Sequence, residues 1–583
     1  MKYIVGITLF IFLLSLTFIK ADDLNVDLGR HIVSGGIIVN THSLPRISLF
    51  SYTEPRYPFV NHYWLTEVIF YSLNSIFGLI ALFYLKEIIV FLSIGIILYY
   101  TFKKYGAFAS GLASLFVFPF FVVRNVIRPE LFGYLFFSIL FILLLTYPKS
   151  NKYIFLIPLI MLLWVNLSIT FIFGILIIGI LLLKVSLREP KIDIQNYKKL
   201  GRLLKEKDFL FLLVSLAVLF INPHGIQGII EPFLILKTPV YKLSEMESIF
   251  TVVKTFPHPI YTYIMYLILS TPILCIHLFV HRKFILFFFL TAFLITAAIQ
   301  NRNIIFFTFI FIPSFGFVAR NIANKFTRDA HFSDIKRMSG GILLSSTLIV
   351  LSIPFFNNSF YKTFDIKEHF GQGFYEDAKP AIEFMQKNNL PKNIFNNFNV
   401  SGYFIYKTYP AYKPFIDNRP EAYSSSFLEK IYLPVFESNM QKQKVFEKYD
   451  IRTVFLQLDT GDQGARKLAT DLNKDSRWKL AFLDNSIVIF TKDQYVKDLK
   501  RNSSFLKSQV GNKSDYLELG KLASNFALLG YNKLADSALK KANELNPNSC
   551  NIKRLYYEYY TNANLITEAE MVKGNNWYCF FYM

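Results

Sequence analysis

Asp27 is the first residue of the chain whose type and position suggest chemistry. It follows the apolar run Tyr3–Ile19 and opens a stretch that reads Asp-Leu-Gly-Arg-His-Ile. If this stretch begins a helix, Asp27 and His31 share one face at i and i+4. A carboxylate beside a cationic or hydrogen-bonding neighbour suits a general base, which takes a proton from an attacking group. Asp also commonly caps helices, and the sequence alone leaves both roles open.

Further charged side chains stand at the ends of later apolar runs. Arg128 follows one such run, and Arg302 lies in a short polar break between two others. Arginine at the depth of a membrane surface is costly unless it is paired or used. Because guanidinium binds phosphate through two parallel hydrogen bonds, an anionic lipid phosphate is a natural partner. The alternative is that both side chains only extend toward the lipid headgroups.

Several common kinds of catalytic site are missing from the sequence. It has no Gly-rich phosphate loop, no Cys and His cluster with zinc spacing, and no Ser–His–Asp arrangement. The Asp-x-Asn-x-Asp pattern at 23–27 lacks the rest of a cation-binding loop. We therefore predict no metal and no cofactor, and a soluble nucleotide-dependent enzyme is not supported.

The composition indicates that a membrane domain positions these residues. Of the 583 residues, 53% are hydrophobic, and apolar runs long enough to cross about 30 Å of hydrocarbon recur until residue 356 or so. We therefore predict an all-α polytopic membrane domain over 1–356, whose first outer loop is 20–77. Its transmembrane helices, about eleven in number, are expected near 3–19, 78–102, 106–123, 131–147, 153–168, 170–185, 208–223, 260–280, 284–299, 303–319 and 340–356.

The basic residues predict the orientation of these spans. The net charge is +21, and the richest clusters of Lys and Arg fall in loops on one side of the predicted membrane domain. The positive-inside rule places that side in the cytoplasm. We therefore predict a multi-pass plasma membrane protein with a cytoplasmic N-terminus, an extracytoplasmic C-terminal domain and no nucleic-acid partner. Asp27, Arg128 and Arg302 then share the outer side of the bilayer.

Beyond residue 356 the pattern changes to short elements. Strands alternating with helices predict a small α/β domain over 357–500. The expected strands cover 393–398, 413–417 and 452–458, and they are followed by a hairpin over 479–491.

Residues 514–572 match the tetratricopeptide repeat template in register. One or two such repeats do not form a stable solenoid alone, so the tail must pack on a neighbour. It then either binds a protein partner or caps the α/β domain. Cys550 and Cys579 are able to pair outside the cell, although nothing in the sequence requires it, and Cys275 lies in a predicted span.

A series of short motifs follows in order over roughly residues 20–425. They are Asp27-Leu-Gly-Arg-His31, His62-Tyr-Trp-Leu-Thr-Glu67, Arg128-Pro-Glu130, Trp164-Val-Asn166, Asn222-Pro-His-Gly225, Arg302-Asn303, Ser401-Gly-Tyr403 and Phe415-Ile-Asp-Asn-Arg419. Together they resemble the GT-C superfamily, the polytopic glycosyltransferases that use polyprenyl-phosphate-linked sugars. The similarity is greatest to bacterial members related to protein mannosyltransferases and aminoarabinose transferases. Each motif is weak alone, and their order makes the resemblance specific.

The resemblance implies a function and a role for each site residue. A sugar would move, with inversion, from a polyprenyl-phosphate donor to an extracytoplasmic glycan, lipid or protein. Asp27 would be the general base, with Glu67 as the second catalytic candidate. The expected substrate-binding residues are Arg128 and Arg302 on the phosphate leaving group, and Arg30, His31 and His62 around the acceptor.

Two other classes of protein remain open. An O-antigen ligase or polymerase is also polytopic and uses lipid-linked sugars, but it would depend on a late outer loop, here 222–259. A non-enzymatic envelope scaffold would instead act through the C-terminal repeat.

Overall fold

The protein is predominantly helical and carries one small sheet in its C-terminal part. The computed structural model describes residues 2–22, 24–187, 206–235, 246–255, 258–326, 333–458, 461–494, 496–500 and 504–580. Parts of two basic segments that the sequence predicts to be cytoplasmic, 188–205 and 327–332, lie outside the described residues.

Apolar helices dominate the chain up to residue 356. The main ones are Lys2–Thr17, Ile80–Tyr105, Ala107–Val123, Glu130–Thr146, Ile157–Leu167, Phe171–Ser186, Lys207–Ala217, Pro259–Val280, Phe284–Ile299, Ile304–Phe326 and Ser333–Phe356. Two shorter helices, Ile226–Ile235 and Ile249–Thr255, stand between them. Most of the helices begin and end within four residues of the predicted spans, because the polar turn residues that end a helix lie between the apolar runs. Three differ by six or seven residues at one end: Lys207–Ala217, Ile304–Phe326 and Ser333–Phe356.

The length of these helices bears on the predicted number of spans. Within the described residues, 3 helices are long and apolar enough to cross a membrane: Ile80–Tyr105, Pro259–Val280 and Asn301–Lys325. Other apolar helices, such as Ala107–Val123 and Glu130–Thr146, are shorter. The positions of the predicted helices are therefore confirmed, whereas the count of about eleven spans and the orientation stay predictions.

The segment after the first apolar helix contains a short turn and two helices. A π-helical turn, Leu24–Leu28, continues into the helix Gly29–Thr41, which packs against the helix Trp64–Phe77. A Cβ atom added to Gly35 would lie 1.9 Å from the carbonyl oxygen of Glu67. Position 35 therefore has to lack a side chain for the two helices to come this close.

Gly35→Ala should separate these two helices and destabilise the protein. The Cβ atom itself would overlap a backbone atom 1.9 Å away, and side-chain rotation does not move Cβ. We therefore expect the free energy of unfolding to fall by about 3 kcal/mol or more. The unfolding transition of the purified protein in detergent micelles would measure this. Gly95→Ala is the matched control, since a Cβ there meets nothing within 4 Å. Equal stability of the two variants would contradict the prediction.

The C-terminal domain contains a four-stranded sheet. Its strands are β1 (Ile394–Asn396), β2 (Thr453–Gln457), β3 (Lys479–Leu483) and β4 (Ile487–Thr491), in the order β1-β2-β4-β3. β1 runs parallel to β2, whereas β4 is antiparallel to both of its neighbours. The helices that alternate with these strands are Lys379–Lys387, Ser401–Thr408 and Gln463–Lys474. The predicted α/β character, the strands predicted at 393–398 and 452–458, and the predicted hairpin at 479–491 are thus found.

The expected strand at 413–417 is wrong, because a side chain takes the place of a partner strand. Asn396 Oδ1 accepts the backbone N–H of Phe415 at 2.7 Å, and Asn396 Nδ2 donates to the carbonyl of Ile416 at 2.8 Å. An amide side chain offers both a donor and an acceptor, so it can satisfy backbone groups that a strand would otherwise pair. The segment therefore stays outside the sheet, bends at 415 and 416, and leads to Asp417.

The C-terminal domain is attached to the chain just after the first apolar helix. The backbone N–H of Lys20 donates to the carbonyl of His369 at 3.0 Å. Nearby, the ammonium of Lys367 lies 2.8 Å from the Asp22 carboxylate and also bonds to Asp377. These contacts hold the C-terminal domain against the segment that carries Asp27.

Four helices form the C-terminal tail: Tyr516–Leu528, Asn532–Leu545, Cys550–Asn562 and Ile566–Asn575. Their apolar side chains share one buried core with the α/β domain, and Asn525 Nδ2 donates to the carbonyl of Asp484 at 3.0 Å. Cys550 and Cys579 form a disulfide. This packing is what the capping alternative expects, and a protein partner for the tail stays a prediction.

Candidate active site

The Asp27 carboxylate lies where three parts of the chain meet. Its Oδ2 is 3.1 Å from Arg128 Nη2, and its Oδ1 is 3.4 Å from Arg30 Nη2. The Asn418 amide, from the C-terminal domain, also donates to Oδ1. The N-cap of the following helix falls on Leu28, so Asp27 does not have the capping role that the sequence left open. Its side chain is 18% exposed, which leaves the carboxylate accessible to a small substrate.

Asn418 belongs to a loop that is fixed by a buried ion pair. Arg419 binds Asp417 through two hydrogen bonds of 2.8 Å each. The guanidinium of Arg419 also lies over the rings of Phe50 and Phe59, at 4.9 and 4.4 Å from their centroids. Burial alone would raise the pKa of Asp417, but Arg419 outweighs it and the net shift is downward. Arg419 thus connects the C-terminal domain to the segment that contains Phe50 and Phe59.

His31 lies between Glu67 and Arg30, and its neighbours determine its tautomer. The distance from His31 Nδ1 to Glu67 Oε1 is 2.9 Å, and that from His31 Nε2 to Arg30 Nη2 is 3.3 Å. Arginine only donates, so Nε2 must accept and Nδ1–H must donate to Glu67. Burial, followed by the charge of Arg30, lowers the pKa of His31. The imidazole is therefore neutral at pH 7.

Glu67 is surrounded by hydrogen-bond donors. Besides His31, the Ser34 hydroxyl donates at 2.5 Å and the Asn61 amide at 2.6 Å. Burial alone would raise the pKa of Glu67, but the bond from His31 and the charge of Arg30 outweigh it, and the net shift is downward. The side chain is 2% exposed. Such a carboxylate is placed to hold His31 and Arg30 rather than to meet a substrate, and its predicted catalytic role stays a prediction.

A second carboxylate–guanidinium pair lies close to the first. Arg302 Nη2 is 2.6 Å from Glu130 Oε1. Burial raises the pKa of Tyr63, and the charges of Glu130, Arg302 and Asp27 all act on the same hydroxyl. Glu130 lies two residues after Arg128 in the chain, which brings the second pair close to the first.

A cavity of about 180 Å³ opens beside Asp27. Its lining combines apolar side chains such as Val122 and Val126 with the cationic groups of Lys20 and Arg128 and the carboxyl groups of Asp22 and Glu368. Arg128 consequently faces both the Asp27 carboxylate and the cavity. Apolar walls with a few charged groups suit an amphiphilic ligand. Among the described residues, no three His, Cys, Asp or Glu side chains come together as possible metal ligands.

His62 lies behind this site rather than in it. Its side chain is buried beside Tyr63, with 5.1 Å between the ring centroids, and within the described part of the chain neither ring nitrogen has a hydrogen-bond partner. Burial, with a smaller contribution from His224, lowers the pKa of His62 to about 4. Its predicted role in binding a substrate stays untested.

His62→Leu should make the protein more resistant to acid. The unfolded chain protonates His62 near pH 6.5, whereas the folded protein does so only near pH 4, so stability falls as the pH drops through this window. We expect the variant to gain about 2 kcal/mol over the wild type at pH 5, measured as a higher unfolding temperature. His42→Asn, at an exposed position, is the control and should gain nothing. An acid sensitivity equal to that of the wild type would contradict the prediction.

The predicted site residues fall into two groups. Five of them form one connected network: Asp27, Arg30, His31, Glu67 and Arg128. Arg302 pairs with Glu130, two residues from Arg128, and His62 is buried against Tyr63.

Two residues of the site were not predicted, Asn418 and Arg419. Both belong to the motif 415–419, which the sequence contained as a family-like pattern without an assigned role. That motif was the available signal.

Comparisons with known proteins do not identify the chain. No protein-family model matches it, and no curated protein matches it. Among solved structures it is similar to the archaeal oligosaccharyltransferase AglB from Archaeoglobus fulgidus, solved in complex with an inhibitory peptide and a dolichol-phosphate. The two are 12% identical, the match covers 96% of this chain and 86% of that chain, and the TM-score is 0.48. A likeness at this level carries no argument about activity, so a function has to be argued from the side chains.

Proposed function

We propose that the protein is a membrane glycosyltransferase that moves a sugar from a polyprenyl-phosphate-linked donor to an extracytoplasmic glycan, lipid or protein. The ion pair between Asp27 and Arg128, beside a cavity with apolar walls, supports this proposal most. A carboxylate can accept a proton and a guanidinium can bind phosphate. The two groups that such a transfer needs are 3.1 Å apart, and both are partly exposed, Arg128 by 15%.

The proposed reaction is a single displacement at the anomeric carbon of the donor. Asp27 takes the proton of an acceptor hydroxyl or amine while the acceptor atom bonds to that carbon. The bond from the same carbon to the phosphate oxygen breaks, its electron pair stays on the phosphate, and polyprenyl phosphate leaves. Attack from the opposite face inverts the configuration. The proton on Asp27 then passes to water.

The arginines stabilise the leaving group in this scheme. In the structure Arg128 is paired with Asp27, and Arg302 with Glu130 at 2.6 Å. A phosphate offers each guanidinium a second anionic partner of matching geometry. As the bond to the sugar breaks, negative charge grows on the phosphate, and positive groups already in place lower the barrier.

The side of the membrane on which the site lies is inferred from the distribution of basic loops, not from the site residues. The positive-inside rule puts the ends of the helices that carry Arg128 and Arg302 outside the cytoplasm. The donor lipid and the bilayer are therefore the partners of the membrane domain, and the C-terminal domain is extracytoplasmic.

Binding of polyprenyl phosphate tests the proposal. The purified full-length protein should bind polyprenyl phosphate more tightly than the uncharged polyprenol of equal length. Arg128→Gln should weaken phosphate binding by about tenfold or more, since a charge-assisted hydrogen bond contributes about 1.5–3 kcal/mol. Arg302→Gln should act in the same direction. Arg46→Gln is the control, because this exposed side chain contacts the carbonyl of Pro223 and not the site.

Equal binding of the phosphate and the alcohol would count against the proposal, and further variants would point to the alternatives. An enzyme of the O-antigen ligase kind would lose activity on changes within 222–259 and tolerate Asp27→Ala. A scaffold would tolerate Asp27→Asn and lose its cellular function on deletion of 516–583.

A further inference from the structure

We infer that Asn418, a residue of the C-terminal domain, is a positioning residue for Asp27 during sugar transfer. The inference rests on the proposed function and adds a residue to its machinery. Asn418 lies 391 positions along the chain from Asp27, yet its amide bonds directly to the Asp27 carboxylate. The C-terminal domain would then complete the site that begins in the first outer loop.

Both the NH₂ group and the oxygen of the Asn418 amide form hydrogen bonds. Its Nδ2 donates to the carbonyl of Val26 at 2.8 Å and to Asp27 Oδ1. Its Oδ1 accepts from Arg30 Nε at 3.0 Å. This pattern sets the orientation of the amide, because a flip would place its oxygen against the Val26 carbonyl and the Asp27 carboxylate and its NH₂ against a donor.

The loop around Asn418 cannot shift easily. Arg419 and Asp417 on either side form the buried bidentate pair, and the Tyr423 hydroxyl donates to Asp417 Oδ2 at 3.0 Å. Asn418 itself is 8% exposed. The hydrogen bond to Asp27 is therefore held by packed structure, as a group that positions a catalytic residue should be.

The two oxygens of the Asp27 carboxylate have different partners, and this difference defines the role of Asn418. Oδ1 is bonded by Asn418 and Arg30, whereas Oδ2 faces Arg128. A donor phosphate would compete with Oδ2 for Arg128, and the carboxylate would lose one of its restraints at that moment. Asn418 and Arg30 keep Oδ1 in place, so the carboxylate stays fixed while it serves as the proton acceptor.

Two variants of Asn418 test this role. Asn418→Ala should lower kcat for transfer from the active donor by about 10²-fold, because a misplaced catalytic group costs about that much, and should leave the donor KM unchanged. Asn418→Asp places a second carboxylate against Asp27, and like charges in contact disfavour ionisation. The acid limb of its pH–rate profile should therefore move to higher pH, although Arg30 and Arg128 still face Asp27. A merely structural role would not move this limb.

The control is Asn393→Ala, in the same domain, where the exposed amide bonds to Asp450. It should leave kcat and the pH profile unchanged. If the Asn418 variants behave as this control does while the wild type turns over, the positioning role is overturned and the proposed function stands.

A cross-link tests the contact without any activity. Asp27→Cys and Asn418→Cys, introduced together, should be joined by a short bifunctional thiol reagent in the full-length protein, so that fragments from proteolysis between the two positions stay linked. Each single substitution is the control, since Cys275 is buried and Cys550 is already paired with Cys579. Absence of the cross-link overturns the inference whatever the activity. A cross-link together with no turnover of any lipid-linked sugar by the wild-type protein would instead overturn the proposed function, and the role of Asn418 with it.

Discussion

Asp27→Asn should lower the rate of sugar transfer by about 10²–10⁴-fold, the usual contribution of a general base. The amide has nearly the shape of the carboxylate but takes no proton from an acceptor. Arg128 loses its anionic partner in this variant, so binding of polyprenyl phosphate should be kept or strengthened. The measurements are the initial rate of transfer from the active donor and the affinity for polyprenyl phosphate.

Asp450→Asn is the matched control for that experiment. Asp450 pairs with Arg452 at 3.0 Å on the exposed surface of the C-terminal domain, so its replacement removes a carboxylate without touching the site. Its transfer rate should stay close to that of the wild type. A variant at Asp27 that transfers sugar at the wild-type rate would place the base elsewhere, and Glu67 would be the next candidate.

Glu67→Gln should destabilise the protein without moving the pH dependence of catalysis. The wild-type carboxylate accepts bonds from His31, Ser34 and Asn61, and a glutamine NH₂ would face at least one of these donors. Arg30 would also lose a negative charge 3.8 Å from its Nη1. Breaking a buried charge network of this kind costs about 3–5 kcal/mol. The unfolding temperature and the pH–rate profile measure the two effects separately.

The pH dependence of this loss follows from the direction of the pKa shift. The pKa of Glu67 lies below its ordinary value of 4.5, so the ionised side chain stabilises the fold above that pH, and the stabilisation disappears as the pH falls through the lowered pKa. The deficit of Glu67→Gln should accordingly be constant above pH 5 or so and shrink below pH 4.5. If the variant is as stable as the wild type and the acid limb of its rate profile is lost, Glu67 is the base.

The helices of the membrane domain were predictable because hydropathy is a local property. A continuous apolar run has to pair its own backbone groups in hydrocarbon, and only a helix does so within one segment. Run and helix therefore coincide, as at Phe284–Ile299. The same argument does not set the number of spans, since several apolar helices are shorter than a bilayer requires.

The partners within the site were less predictable, for two physical reasons. The sequence suggested Asp27 and His31 as a pair on an α-helix, but Asp27 lies in a π-helical turn, whose wider repeat changes the angle between residues. Asp27 pairs with Arg30, and His31 turns to Glu67.

The second reason is distance along the chain. Asn418 meets Asp27 because the C-terminal domain packs against the segment that follows the first apolar helix. Asn396 also bonds to the backbone before Asp417, which keeps that segment outside the sheet. Periodicity and propensity are local signals and contain neither fact. The motif around Asn418 could be seen in the sequence, but its place in the site could not.

Sugar release from a panel of radiolabelled polyprenyl-phosphate monosaccharides by the purified full-length protein tests the central claim most directly. The account predicts turnover of at least one donor, with polyprenyl phosphate as the lipid product and an inverted anomeric configuration in the sugar product. Turnover with retained configuration would contradict the single displacement that uses Asp27 as a base. No release from any donor, in the presence of extracytoplasmic glycans, lipids and proteins from the source cell as acceptors, would contradict the glycosyltransferase itself.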